Sequence, residues 1–170
     1  MRSPTPQRLP RWFLQVSGDL KLGGNYKFEG NAGGTVTNCE PEQRLAVTWE
    51  FGGTVTWVTV TLTPLDEFTR LTLEHIAIVD PKFPPFGPGA VGVGWDLGLM
   101  GLARHIAEPG AYIDPAKGAA WPTTPEGKDF VRAASSGWGD ADIAAGENPA
   151  SARAGAEMTR QFYTGDKAES

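Results

Sequence analysis

The sequence predicts an α+β protein in which a curved antiparallel sheet is followed by one long helix and then by two further helices. Three observations lead to this fold class. Residues between about 17 and 78 alternate apolar and polar side chains, only short turns separate these segments, and apolar residues from Val91 to Ile106 recur at helical spacing. Because no helical pattern interrupts the strands, we predict an antiparallel meander of five or six strands.

The alternation of apolar and polar residues predicts which side chains share a face of each strand. Residues 25–29 and 34–40 flank the turn GNAGG, and a short strand is expected within 17–24. Residues 44–51 and 69–78 alternate cleanly, and each places four residues on one face: Leu45, Val47, Trp49 and Phe51 in the first, and Leu71, Leu73, His75 and Ala77 in the second. In 54–63 the apolar parity changes between Trp57 and Val58, which indicates either a bulge or a strand buried on both faces.

A helix is predicted over about 88–107, although it contains glycines that each cost about 1 kcal/mol relative to alanine. Gly94, Gly98 and Gly101 fall on one strip beside the apolar stripe, where missing side chains let a helix approach another surface closely. We expect that surface to be the sheet, with a cavity where large and small residues do not meet.

The chain beyond residue 110 has a different character. Residues 109–122 read as a linker, and helices are predicted near 125–144 and 149–163, each beginning with a capping residue followed by proline. We expect two parts, a domain of residues 1–110 and a helical extension of residues 111–170 packed on it. The extension is expected to contact the long helix on its Val93, Leu97 and Met100 side through Phe130, Trp138, Met158 and Phe162.

Composition and motifs exclude several kinds of function. The net charge is −5 with no dense run of Lys and Arg, which argues against a nucleic-acid partner. The longest apolar stretch, 90–103, is too short to span a bilayer, so no membrane partner is expected. Cys39 is the only cysteine, which fits a cytoplasmic location.

No cofactor or metal is expected. GPGAVG at 87–92 matches a dinucleotide-binding pattern only formally, because it follows the proline-rich stretch 80–89 rather than a strand. The two histidines are 30 residues apart in the sequence and form no metal-binding pattern.

Three segments together resemble the heat-shock protein 90 ATPase activator homology family of the START-like helix-grip (SRPBCC) superfamily. They are SGDLKLGGNYKFEGNAGGTVTNCEPEQRLAVTWEFGG, TRLTLEHIA and GVGWDLGLMGLARHI, and the resemblance covers about residues 9–107. It implies a sheet gripping a long C-terminal helix with a hydrophobic cavity between them, in a superfamily that also holds polyketide cyclases and lipid-transfer domains. The extension is similar to those of some bacterial members.

The resemblance also implies a missing beginning. Such domains start with a strand and a helix pair before the segment RLPRWFLQVSGDL, which here lies almost at the start of the chain. We therefore expect an unpaired sheet edge. Either the true chain starts upstream, which we favour, or a partner chain supplies the edge, as in a homodimer.

The implied cavity selects six candidate ligand contacts, whose simpler interpretation at each single position is ordinary core: Trp49, Phe51, Leu73, His75, Trp95 and Leu99. His75 is the one weak catalytic candidate, because a neutral imidazole among apolar residues can act as a base. With no acidic partner identified, we favour a hydrogen-bonded core histidine.

Three functions follow as hypotheses. The first is binding of a small hydrophobic molecule in the cavity. The second is a polyketide-cyclase-like enzyme that uses His75. The third is a co-chaperone-like interaction module, which the resemblance alone suggests. The absence of a polar cluster favours the first.

Overall fold

The computed structural model describes residues 8–78, 86–110 and 114–166, and the chain divides into two units, Met1–Pro81 and Lys82–Ser170. The first unit holds the sheet and the second the helices, which confirms the predicted α+β class. The predicted boundary between two domains at residue 110 stays a prediction. The proline-rich stretch 80–89 lies outside the described residues up to residue 85.

Six antiparallel strands form one open, curved sheet in chain order. They are β1 (Val16–Gly18), β2 (Asn25–Phe28), β3 (Gly33–Glu40), β4 (Arg44–Phe51), β5 (Thr54–Leu65) and β6 (Phe68–Ile76). Every strand pairs with its sequence neighbours, so the predicted meander is confirmed. A single turn of 3-10 helix, Leu9–Arg11, precedes β1.

The core of the sheet unit lies at its β1–β4 end. Tyr26, Phe28 and Val36 are buried there, as the alternation in β2 and β3 requires. Seven half-buried residues pack around them: Phe13, Leu14, Val16, Leu20, Cys39, Val47 and Trp49. The Tyr26 hydroxyl donates to the Thr48 carbonyl at 2.7 Å, which satisfies the polar end of a buried ring.

The bulge expected in β5 is absent, and that alternative is wrong. The register with β4 and β6 runs without a shift along β5, whereas β3 carries an irregularity between Val36 and Asn38. The apolar parity of β5 changes because Val55 and Trp57 lie on one face and Val58 and Val60 on the other. Val55 and Trp57 are exposed, so burial does not account for them either.

Four helices make up the second unit: α1 (Gly89–Ala107), α2 (Pro115–Ala120), α3 (Pro125–Ala144) and α4 (Pro149–Thr164). The predicted caps of α3 and α4 are present. The Thr124 side chain accepts from the Gly127 N–H and the Asn148 side chain from the Ala150 N–H, while Gly165 ends α4 in the left-handed conformation.

The linker expected over 109–122 is partly helical. Asp114 accepts from the Ala116 N–H at 2.9 Å and Pro115 begins α2, and a 3-10 turn over Trp121–Thr123 follows directly. The pair Asp114-Pro115 is the same capping signal that predicted α3 and α4, so the sequence carried this information.

The α1 glycines meet the two C-terminal helices. A Cβ on Gly92 would overlap the indole of Trp138, and a Cβ on Gly94 would lie 2.9 Å from the Tyr163 hydroxyl. The Trp138 Nε1–H donates to the Asp96 carboxylate at 2.9 Å, and the Tyr163 hydroxyl donates to the Ala90 carbonyl at 3.0 Å. The glycines we assigned to contact with the sheet therefore include one, Gly94, whose nearest side chain belongs to α4.

The predicted contacts of the extension are correct for Trp138 and wrong for Phe162. Phe162 is 72% exposed, and Tyr163 and Thr159 of α4 meet α1 instead. Phe130 packs against Trp121, with ring centroids 5.6 Å apart. The face of α4 that contacts α1 is thus rotated by one residue from the face we predicted.

Candidate functional site

One face of the sheet gathers most of the predicted site residues, and we call it the His75 face. Its members follow from the cross-strand register, since residues directly opposite each other share a face. Val47 lies opposite Val58, which lies opposite His75, and Val60 lies opposite Leu73. Trp49 and Phe51 share this face by alternation along β4, so the predicted orientation of both strands is confirmed.

A row of rings crosses the His75 face. Phe13 meets Phe28 edge to face at 5.3 Å between centroids, Phe28 meets Trp49 at 5.5 Å, and Trp49 meets the imidazole of His75 at 6.1 Å. Between β2 and β4 the row passes Gly34, where a Cβ would overlap the Thr48 carbonyl. The row joins the buried core to a less covered region around His75.

A threonine hydroxyl orients the imidazole. Thr56 Oγ1 and His75 Nε2 are 2.8 Å apart, and the same hydroxyl donates to the Trp49 carbonyl at 3.1 Å. The hydroxyl thus links the β4 backbone to the imidazole, and the tautomer of His75 decides which of Oγ1 and Nε2 is the donor.

Burial keeps the imidazole uncharged. It lowers the pKa of His75 below the ordinary value of 6.5, because desolvation penalises the cation. Glu74 follows the alternation onto the opposite face, opposite Thr59, so it does not face the ring of His75. At neutral pH the group is a neutral, hydrogen-bonded imidazole among apolar and aromatic side chains.

The six predicted contacts divide between the two units. Trp49, Leu73 and His75 lie near one another on the His75 face. Phe51 shares that face but ends β4, and its side chain is 60% exposed. Trp95 and Leu99 lie four residues apart on α1, where Trp95 is half-buried and Leu99 exposed.

Sequence reasoning missed Thr56, which touches both His75 and the Trp49 backbone. Its signal was available, because Thr56 has the same parity as Val58 and Val60 and therefore shares their face. What the pattern lacked was the register between β5 and β6, which pairs Val58 with His75 and brings Thr56 beside the ring.

The helical unit contains a groove of different chemistry. It measures 280 Å³, runs between α3 and α4, and is lined largely by charged side chains, including Arg132, Asp140, Arg153, Glu157 and Arg160. Arg160 is already bound to Glu157 and Asp166, each at 2.7 Å. Such a groove does not suit a hydrophobic ligand.

Within residues 8–78, 86–110 and 114–166, no cluster of His, Cys, Asp and Glu has the geometry of a metal site. No helix in the described part of the chain is both long and apolar enough to cross a membrane.

The sequence model of one family, described as Activator of Hsp90 ATPase homolog 1-like protein, matches residues 4–107. The chain belongs to this family. The match covers the sheet and α1, and it confirms the resemblance to the START-like helix-grip superfamily. None of the curated proteins matches the chain in sequence.

Solved structures of similar fold include CalU16 and DynU16. The crystal structure of CalU16 from Micromonospora echinospora is 29% identical, with a TM-score of 0.61 over 78% of this chain and 72% of that one. The solution structure of CalU16 is 26% identical, with a TM-score of 0.60 over 95% and 74%. DynU16, described as a putative protein in the dynemicin biosynthetic locus, is 26% identical, with a TM-score of 0.52 over 61% and 40%.

Proposed function

We propose that this chain binds a small hydrophobic molecule on the His75 face. The observation that carries the proposal is the contact between Trp49 and His75, whose imidazole is oriented by Thr56. An indole supplies apolar area, and a neutral imidazole supplies one directional polar contact. That combination is typical of sites for small organic ligands.

The family and its relatives support this class of ligand. The resemblance to the START-like superfamily implies kinship with lipid-transfer domains and polyketide cyclases, and DynU16 is described as a putative protein in the dynemicin biosynthetic locus. We therefore propose that the ligand is a small molecule made in a biosynthetic pathway. It is largely apolar and carries at least one polar atom that can hydrogen-bond to His75. Trp95 and Leu99 stay in the proposal as contacts from α1.

Tryptophan fluorescence tests the site directly. Trp49 lies on the His75 face and Trp57 on the opposite face, opposite Thr48 of the neighbouring strand. Titration with 1-anilinonaphthalene-8-sulfonate, followed by a panel of polycyclic aromatic metabolites, is expected to quench the wild type. Trp49→Phe is expected to weaken this response and Trp57→Phe to keep it in full.

A second pair of variants measures affinity rather than signal. Leu73→Ala removes apolar surface from the His75 face, whereas Ile76→Ala removes it from the other face of the same strand. Leu73→Ala and Leu99→Ala are expected to weaken binding and Ile76→Ala to leave it unchanged, once circular dichroism shows that each variant folds. Equal binding by all variants would contradict the proposed site.

His75 favours one alternative, a cyclase-like enzyme in which the imidazole takes a proton during aromatisation or dehydration. A lowered pKa leaves the imidazole unprotonated at neutral pH, which a base requires. With a bound ligand identified, turnover that is lost in His75→Gln while binding persists would establish catalysis. Unchanged ligand after prolonged incubation with the wild type would leave binding as the function.

A further inference from the structure

The groove between α3 and α4 has a buried hydroxyl at its bottom. Ser135 lines this groove and is only 2% exposed, and its Oγ has no hydrogen-bond partner in the part of the chain that the structure describes. A hydroxyl within a helix often donates to the carbonyl one turn earlier, as Thr164 does to Arg160 at 2.9 Å. Ser135 makes no such bond. A buried hydroxyl without a partner lowers stability, and a polar atom of a ligand would satisfy it.

Close packing of α3 on α4 sets two opposite charges at one end of the groove. A Cβ on Gly139 would lie 3.4 Å from the carbonyl oxygen of Ala152, so the two helices touch there. Asp140 directly follows Gly139, Arg153 directly follows Ala152, and both charged residues line the groove. They therefore lie on opposite walls at the same level. Ser135 is between one and two helical turns away along α3.

These two charges are the ones in the groove that no other side chain neutralises. Within residues 8–78, 86–110 and 114–166, the side chains of Asp140 and Arg153 have neither an ion-pair nor a hydrogen-bond partner. At the other end of the groove, both arginines are already bound to carboxylates. The pairs there are Arg132 with Asp129, and Arg160 with Glu157 and Asp166. The end near Asp140 thus offers one cation, one anion and one hydroxyl.

We propose that this end of the groove binds a small zwitterion, a molecule that carries both a carboxylate and an amine. The guanidinium of Arg153 holds the carboxylate through two parallel hydrogen bonds, and Asp140 holds the ammonium. The Ser135 hydroxyl both donates and accepts, so it satisfies whichever group lies deeper. A phosphate suits the groove less well, because the carboxylates of Asp140 and Glu157 would repel a dianion.

The size of the groove limits the ligand to about the size of an amino acid. Its volume of 280 Å³ lies at the lower end for sites that bind small molecules. Along α3 it extends from Arg132 to Asp140, which is about 12 Å at the rise of an α-helix. This site shares no residue with the His75 face and differs from it in ligand chemistry, so it goes beyond the function proposed above.

Nuclear magnetic resonance titration of the isotope-labelled full chain tests the ligand class. The probes are the ω-amino acids from glycine to 6-aminohexanoate, which carry both charges at increasing separation. For each chain length, the acid without the amine and the amine without the acid are the single-charge analogues. At least one zwitterion is expected to shift the backbone amide signals around Asp140 and Arg153. Its dissociation constant is expected to be at least about tenfold lower than those of its two analogues.

Neutralising either charge locates the site. Arg153→Gln and Asp140→Asn are each expected to raise the dissociation constant of that zwitterion by about tenfold. Arg70→Gln in β6 and Glu126→Gln in α3 change the net charge by the same amounts at exposed positions outside the groove. These two control variants are expected to bind the zwitterion as the wild type does.

Ser135→Ala separates binding from stability. Removing a buried hydroxyl that has no partner is expected to leave the melting temperature equal or higher. The dissociation constant is nevertheless expected to rise by about threefold or more, because the ligand loses a hydrogen bond. The proposal is overturned if no zwitterion binds more tightly than its single-charge analogues. Unchanged binding by Ser135→Ala, Arg153→Gln or Asp140→Asn overturns it too.

Discussion

At the scale of single residues, the most informative group is the Thr56 hydroxyl. It donates to the Trp49 carbonyl and lies 2.8 Å from His75 Nε2, so one side chain connects β4, β5 and β6. Alternation predicted correctly that Trp49 and His75 share a face. It did not predict their contact, because cross-strand register depends on turns such as the one at Asp66, which has a positive φ of 44°.

Replacing Thr56 by valine is expected to lower the free energy of unfolding by about 1–3 kcal/mol, since two partly buried polar groups lose their partner. Thr63→Val is the control, because Thr63 is exposed on the opposite face of the same strand. Urea denaturation measures both variants. Equal stability of the two would show that the Thr56 hydroxyl does not organise this region.

The pH dependence of stability follows from the lowered pKa of His75. Below the unfolded-state pKa of about 6.5, the unfolded chain takes up a proton that the folded protein resists, so stability falls as the pH drops through that value. Above it both states are neutral and the contribution is constant. The contribution of one group changes by less than about 1.4 kcal/mol per pH unit.

Comparison with His75→Gln isolates this effect. Denaturation between about pH 5 and pH 8 is expected to show the wild type losing stability relative to the variant on the acid side only. Asp166, whose pKa is lowered to about 2 by Lys128 and then Arg160, loses its contribution at more acidic pH and is common to both proteins. A difference between wild type and variant that is independent of pH would contradict the lowered pKa.

At the scale of elements, α1 was predicted correctly from its apolar spacing, but its glycines were assigned to contact with the sheet. The side chain nearest to Gly94 is Tyr163 of α4. The helical period reports which positions share a side, but it does not say which element covers that side. The error in α4 has a related cause. Close helix contact there favours small and hydroxyl residues such as Thr159 and Gly155, so the larger Phe162 was a misleading guide.

Gly92→Ala tests the close contact within the helical unit. The added methyl would overlap the Trp138 indole, so we expect a loss of about 1–3 kcal/mol despite the higher helix propensity of alanine. Gly137→Ala in α3 is the matched control, because nothing lies near its Cβ position, and it is expected to stabilise by about 0.5–1 kcal/mol. Thermal unfolding measures the stability of both variants. Stabilisation by Gly92→Ala would contradict the close contact between Gly92 and Trp138.

At the scale of the whole molecule, the sequence predicted the order and type of every long element, because alternation and capping are local signals. The sheet order followed from the short turns alone. The composition change near residue 110 falls between helices that contact one another, α1 on one side and α3 and α4 on the other, and a local signal carries no information about such long-range contacts.

Removing residues 111–170 is expected to destabilise the protein and to expose the side of α1 that holds fully buried Val93 and Gly92. Increased binding of a hydrophobic dye and a lower melting temperature are the expected readouts. Tyr163→Phe, which removes the hydroxyl and with it the hydrogen bond to the Ala90 carbonyl, is the mild comparison. A truncated chain as stable as the whole would support an independent domain ending near residue 110.

The reliance of α1 on later helices also has a consequence for the order of events during translation. A helix rich in glycine does not persist alone in water, and its partners Trp138 and Tyr163 follow Asp96 and Ala90 by 42 and 73 residues. At about 5–20 residues per second, the ribosome needs about 4–15 s to add the second interval. During that time the nascent α1 segment is without its final packing and is exposed to chaperones and proteases, so this half of the protein matures only once α4 has left the exit tunnel.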